Sequence, residues 1–394
     1  MRAIMENRKG LSLASHLARS DRFERVRQLR EEGKHVFAYM CGFVPLEMLT
    51  ALDVVPVRLL GDPEEAQTEA DKHVESIMCS FCRSAFDLDL KGKYDFADGI
   101  IVPHTCDNVC HIWNIWTYFK QRPFEYFLNM PHVVCNASSE LLSEFLRDFK
   151  EKLEAYIGKE ITEERLREAI KKHNELRTAL RSLYEVRKEH APGIKGSEVR
   201  DVLISVMSLP VDEAIALVRD VIQEVGERPK RTDDRPRLMV YGPAMDNSFV
   251  EIAESCGADV VIDDACTGTR YFAQNVDENL EPYEALGKHY FDDSRCPRVY
   301  RRPPEEECEP GKSYDYDEDM ELRFGYMKEY AKEWNVDGVI LYVIRYCDSH
   351  GFDIPDIRDY LKKNEIPVLP LEGDYAPMRE QLKTRIQAFL EMID

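Results

Sequence analysis

The chain has 394 residues, 44% of them hydrophobic and 32% charged, with a formal net charge of −21. That length favours two domains with ample core. The acidity argues against nucleic acid, whose phosphates call for Lys/Arg patches, and no 18-residue uncharged apolar run suggests a membrane span.

Residues 1–34 read as a charged helix with no apolar signal-peptide stretch, so the expected location is cytoplasmic. A first α/β region, 35–137, follows. In it 36–39 is a short apolar run leading to Cys41-Gly42, 45–52 a helix with Pro45 at the tolerated first turn, and 54–60 a β-branched strand closed by Gly61-Asp62-Pro63. Residues 80–90 then read as a helix and 99–103 as a buried strand. The span 138–235 is a charged helical connector packed on the domains, because apolar residues such as Leu203, Val206 and Met207 recur at helical spacing.

A second α/β region, 236–394, opens with a strand at 238–241, a helix at 249–256 ended by Gly257, and a strand at 260–262 running into Asp263-Asp264-Ala265-Cys266. Residues 303–319 are acidic and Pro-containing and read as a surface loop. A strand at 339–344, a helix at 357–361, a strand at 368–371 and a closing helix at 379–392 complete it. Strands alternating with helices predict parallel sheets covered on both faces. The two regions echo each other. Asp98-Gly99-Ile100-Ile101-Val102 leads to Cys106-Asp107, and Asp337-Gly338-Val339-Ile340-Leu341 leads to Cys347-Asp348. Val55-Pro56-Val57 before Gly61-Asp62 is matched by Ile366-Pro367-Val368 before Gly373-Asp374. The echoes point to two domains of like topology, each presenting a cysteine at the C-terminal end of a strand, where open α/β sheets bind ligands.

Eleven cysteines without a secretion signal are not a disulfide framework. Any one of them is ordinarily a small buried hydrophobe, and three unrelated core cysteines remain one reading of Cys79, Cys106 and Cys347. The other is a shared site: Cys79 opens a helix, whose N-terminus favours thiolate, and Cys106 and Cys347 follow buried strands. Soft thiolates suit iron–sulfur cores. Zinc fits less well, since Cys79/Cys82 is a CxxC but Cys106/Cys110 a CxxxC, and Cys347 is left over. A thioredoxin-like use of Cys79/Cys82 stays open. Pro310-Gly311-Lys312-Ser313 ends like a P-loop, but Glu306 stands where glycine is required and no strand precedes it, so no nucleotide is expected. His104 and His111 flank Cys106 as candidate proton donors beside the ordinary structural role of a lone histidine. Trp113, Trp116, Tyr118 and Phe119 read as core, or as the wall of an apolar pocket.

Several of these segments resemble the family of benzoyl-CoA reductase and 2-hydroxyacyl-CoA dehydratase subunits. They are Cys41-Gly42-Phe43-Val44-Pro45-Leu46-Glu47, the Cys79 segment ending Arg83-Ser84, the run from Asp98 to Asp107, Asp263 to Tyr271, Cys296-Pro297-Arg298, Cys347-Asp348, and Thr384 to Glu391. The resemblance runs from about residue 35 to the end. It implies two flavodoxin-like domains with a [4Fe-4S] cluster in the cleft between them, held by Cys79, Cys106 and Cys347, with Cys308 as a possible extra ligand. Members with a double-cubane cluster need more cysteines, for which Cys41, Cys82, Cys110, Cys135, Cys266 and Cys296 are available. It further implies an aryl-CoA or acyl-CoA substrate, a homologous sister subunit, and a separate iron–sulfur activator that hydrolyses ATP, consistent with the missing P-loop. The stretch around Gly92, Tyr94-Asp95-Phe96 and Asp98-Gly99 is closer to benzoyl-CoA reductase subunits than to dehydratases. The expected role is reductive dearomatisation of an aryl-CoA, with a ketyl-radical dehydratase, a double-cubane reductase of small molecules and a non-catalytic relay subunit as alternatives.

Overall fold

The computed structural model describes residues 8–229, 231–245, 247–301, 315–375 and 379–393. The expected N-terminal helix is in pieces: α1 (Gly10–Ser15), a π-helical turn, and α2 (Glu24–Glu31). The break lies at Asp21, which leaves helical space (φ −151°, ψ 86°) and accepts the Phe23 N–H on its carboxylate at 3.2 Å. A short polar side chain capturing the backbone two residues on is the usual competitor of a helix.

The first sheet is built from β1 (Val36–Tyr39), α3 (Leu46–Ala51), β2 (Val55–Arg58), α4 (Ser80–Leu90), β3 (Gly99–Pro103), α5 (Asp107–Phe119) and β4 (Phe124–Leu128). Its strands are all parallel, in the order β2-β1-β3-β4. Every residue of β1, β2 and β3 is buried, as expected of parallel strands covered on both faces. Gly99 is required by packing, since a Cβ there would stand 2.9 Å from the Phe37 ring and 3.1 Å from Phe124.

After β5 (Val133–Val134) come the connector helices α6 (Asn136–Ile157), α7 (Glu163–Glu185), α8 (Gly196–Val206) and α9 (Val211–Glu227), with α7 packed on α3 and α9. The second sheet follows in β6 (Arg237–Gly242), α10 (Asn247–Ser255), β7 (Asp259–Ala265), α11 (Pro282–Gly287), β8 (Tyr300–Arg301), α12 (Tyr316–Glu333), β9 (Gly338–Ile344), α13 (Asp348–Lys363), β10 (Val368–Gly373) and α14 (Arg379–Ile393). It is parallel too, in the order β10-β9-β6-β7. Counted within each half, both sheets run 2-1-3-4, the flavodoxin-like order whose switch point lies between the first and third strands. The β5–β8 parallel pair, Val133 against Tyr300, ties the halves together.

Two further elements differ from expectation. The expected helix at 357–361 begins nine residues earlier, because its first half buries polar Ser349, His350 and Asp353 instead of an apolar stripe. The acidic stretch is helical from Tyr316: the Asp315 carboxylate accepts the Asp317 and Glu318 N–H groups, and acids favour a helix start. Residues 302–314, with Cys308 and the P-loop-like tetrapeptide, lie outside the described residues. No helix among the described residues is long and apolar enough to cross a membrane.

Candidate metal centre

Cys79, Cys106 and Cys347 are each the N-cap residue of a helix: α4, α5 and α13. Helix N-termini present unpaired N–H groups and positive dipole ends, which favour an anionic sulfur. Cys106 and Cys347 hold corresponding places, each following the third strand of its own sheet at the switch point. One side chain joins all three segments. Asn108 Oδ1 accepts the Cys79 N–H at 2.9 Å, while its Nδ2 donates to the Tyr346 carbonyl at 3.1 Å. Tyr346, just before Cys347, has φ +64°, and Cys41, after β1, has φ +59°. Left-handed backbone at non-glycine residues costs on the order of 1–3 kcal/mol and gathers at functional sites.

Three more cysteines are linked to the same segments. Cys41 Sγ lies 3.4 Å from Thr105 Oγ1, next to Cys106. The Thr105 carbonyl accepts Arg298 Nε, two residues past Cys296. Cys266 Sγ accepts Arg270 Nη1 at 3.8 Å, and the same Nη1 lies 2.9 Å from His350 Nε2. Arginine can only donate, so His350 Nε2 is the acceptor and its Nδ1 carries the proton. That Nδ1–H therefore points at Cys347 Sγ, 3.3 Å away. A continuous chain of contacts thus runs from Cys266 through Arg270 and His350 to Cys347.

The thiols feel one another. Burial pushes Cys41 up to about 11 and Cys296 up to about 12, with Cys266 among the charges that add to each. Burial also drives Cys106 and Cys347 up, reinforced by Cys41 and Cys79 for the first and by Cys79 and Cys106 for the second. Cys79 goes down, because the Cys82 thiol donates a hydrogen bond to it and outweighs burial. Cys82 correspondingly rises well above the usual thiol range. Among the described residues no three His, Cys, Asp or Glu side chains stand close enough to grip a single metal ion. One tetrahedral zinc, with Zn–S of about 2.3 Å, would need tighter convergence.

The sequence profile of the 2-hydroxyglutaryl-CoA dehydratase D-component family matches residues 41–393. The chain belongs to this family. It is 26% identical to the Escherichia coli protein named "Putative dehydratase subunit YjiM", over 95% of this chain and 96% of that one. It is 23% identical to a benzoyl-CoA reductase subunit of Thauera aromatica (92% and 93% covered). It is 24% identical to the β subunit of (R)-2-hydroxyglutaryl-CoA dehydratase from Acidaminococcus fermentans (92% and 94%).

The two histidines singled out from the sequence of this dehydratase-family chain are placed differently. His104 stacks edge-on with His132, centroids 4.7 Å apart, and burial with the His132 and Arg298 charges pushes its pKa down. His111 is exposed on α5. Cys110 lies one turn beyond Cys106, Cys135 caps α6 with its Sγ 3.3 Å from Ser138 Oγ, and Cys256 donates to the Lys383 carbonyl at 3.8 Å. Sequence reading missed His350 and Arg270. The available signal was His350's place three residues after Cys347, one helical turn on, and Arg270's within the segment after Cys266.

Proposed function

We propose that this chain is an iron–sulfur subunit that takes low-potential electrons from an ATP-hydrolysing activator, holds a double-cubane cluster on two trios of cysteines, and reduces small molecules. The observation that carries this reading is the second trio. Cys41, Cys266 and Cys296 stand beside the segments that carry Cys79, Cys106 and Cys347, and the Thr105 and Arg270–His350 contacts join the two sets.

The residues fit such a group by their own chemistry. Several half-buried thiols lie close enough to disfavour one another's ionisation. Their spacing is too wide for one ion, whereas a cluster spreads its thiolates over different irons and offsets their charge. When bound, a cluster of this kind supplies single electrons at low potential. The chain's own contribution is positional. Three helix N-termini turn their unpaired N–H groups toward Cys79, Cys106 and Cys347, offsetting part of the cost of burial, and the Cys82 thiol donates to Cys79. His350 Nδ1–H donates to the Cys347 sulfur, held in that tautomer by Arg270.

The relatives' names favour a second reading, in which the chain is one subunit of a benzoyl-CoA reductase or 2-hydroxyacyl-CoA dehydratase, paired with a homologous sister, acting on a CoA thioester through the first trio. Anaerobic purification separates the two. The first reading expects about eight irons per chain, two four-iron units, with turnover of a small reducible molecule only when the activator and ATP, or a strong chemical reductant, are present. About four irons with turnover of benzoyl-CoA or a 2-hydroxyacyl-CoA would establish the second. Full-occupancy zinc without iron, or turnover by the isolated chain with NADH, would overturn both.

A further inference from the structure

At the C-terminal edge of the first sheet lies a cavity of about 60 Å³, bordered by Tyr39, Gly42, Arg58, Arg270, Tyr271 and Arg295 among others. It adjoins the second cysteine trio, since Gly42 follows Cys41, Arg270 touches Cys266 and Arg295 precedes Cys296. Arg58 ends β2 directly across from Tyr39, its register partner on β1, and its guanidinium lies over that ring at 5.4 Å. Arg58 is 1% exposed and has no carboxylate partner among the described residues; its Nε and Nη1 make no well-aligned hydrogen bond there, and the Tyr39 hydroxyl lies against the Arg58 guanidinium with its own proton undonated.

The other arginines around the cavity are accounted for. Arg177 is paired with Glu47 at 2.5 Å and Arg270 with Asp264 at 2.8 Å. Arg295 donates to the Tyr330 hydroxyl at 2.6 Å, and Asp293, which also borders the cavity, makes no ion pair with Arg58. A desolvated guanidinium without a carboxylate partner is costly and is rarely retained without a counter-charge. We propose that this cavity binds a small oxyanion or carboxylate, gripped by the Arg58 fork with Tyr39 donating a second hydrogen bond. A planar fork is matched to such anions. Allowing 10–15 Å³ per water-sized sphere, the cavity holds roughly four to six such spheres. Formate, nitrate, bicarbonate and acetate fit that size, and an aromatic carboxylate does not.

This site does not depend on the cysteines holding iron, so it is tested first on metal-free full-length chain. Titrations with sodium nitrate, formate, acetate and benzoate, at ionic strength held constant with chloride, are followed by calorimetry and thermal shift. Saturable binding of the first three is expected, with benzoate at least tenfold weaker. Arg58→Met should weaken nitrate binding at least tenfold, whereas Arg219→Met, at the exposed pair with Glu175, should bind as the parent does. If Arg58→Met does not fold, Tyr39→Phe and Arg58→Lys take its place, each expected to weaken binding several-fold. Nitrate binding unchanged in these variants, or no binding beyond that of chloride, would overturn the assignment. If Arg58 serves only to balance a bound cluster, its variants will lose iron while neither metal-free nor loaded chain binds the anions, and the assignment fails.

Discussion

Arg177→Met should cost about 3–5 kcal/mol, because it strands a carboxylate at the centre of the protein. Glu47 is fully buried, accepts Arg177 Nη2 at 2.5 Å and accepts the Tyr290 hydroxyl at 2.8 Å. Burial alone would raise its carboxyl, but the Arg177 charge prevails and holds it down at about 2 against an ordinary 4.5. At about 1.4 kcal/mol per pH unit that difference is worth about 3 kcal/mol. The contribution is full above pH 4.5 and is lost as pH falls through about 2. Removing one partner of a buried pair typically costs 3–5 kcal/mol, whereas replacing both with apolar residues is often neutral. Urea unfolding at pH 7 by circular dichroism should therefore show Arg177→Met far below the parent, with Glu47→Leu/Arg177→Met recovering most of the loss. A single variant within 1 kcal/mol of the parent, or a double variant no better than the single, would refute the reasoning.

Cys347→Ala and Cys266→Ala, one from each trio, should each remove about half of the iron or more, and Cys256→Ala, whose sulfur donates to the Lys383 carbonyl on α14, should leave it unchanged; iron and sulfide assays on anaerobic protein decide. His173 is buried against Thr50, and burial pushes it from 6.5 down to about 4. The unfolded chain therefore takes up a proton there that the folded chain refuses, so stability falls by up to about 3 kcal/mol as pH drops from 6.5 to 4. His173→Asn should flatten that part of the unfolding-versus-pH curve, and an unchanged curve would show that another group titrates.

The elements nearest the centre were the most legible in the sequence. The strand at 99–103 and the helix at 80–90 have the bounds expected of them, because a parallel strand covered on both faces is an unbroken apolar run and an amphipathic helix repeats. β4 escaped because an edge strand is only half covered, and Phe124-Glu125-Tyr126-Phe127-Leu128 mixes buried ends with a partly exposed middle. Cys79 stood out because it opens a helix, and Cys106 and Cys347 because each follows an apolar strand and precedes an aspartate. Arg58, Arg270 and His350 did not, because their significance comes from register and contact across long stretches of chain. Arg58 matters through Tyr39 on the adjacent strand, and Arg270 through a histidine 80 residues away.

The floor beneath the cysteines makes the two halves one mechanical unit. Phe86 and Ile100 from the first half pack in the same apolar group as Phe249, Ile340 and Ile386 from the second, and the Phe81 and Tyr375 rings meet at the seam with centroids 5.4 Å apart. Swinging the halves apart far enough to wet even about 400 Å² of that seam would cost about 10 kcal/mol at ~25 cal/mol per Å², as much as the whole stability of an ordinary domain. Any inorganic core held there would therefore reach the cysteines from the solvent side, where Cys41, Cys106, Cys266, Cys296 and Cys347 stay partly exposed, and would meet a frame whose two halves are already locked at a fixed spacing.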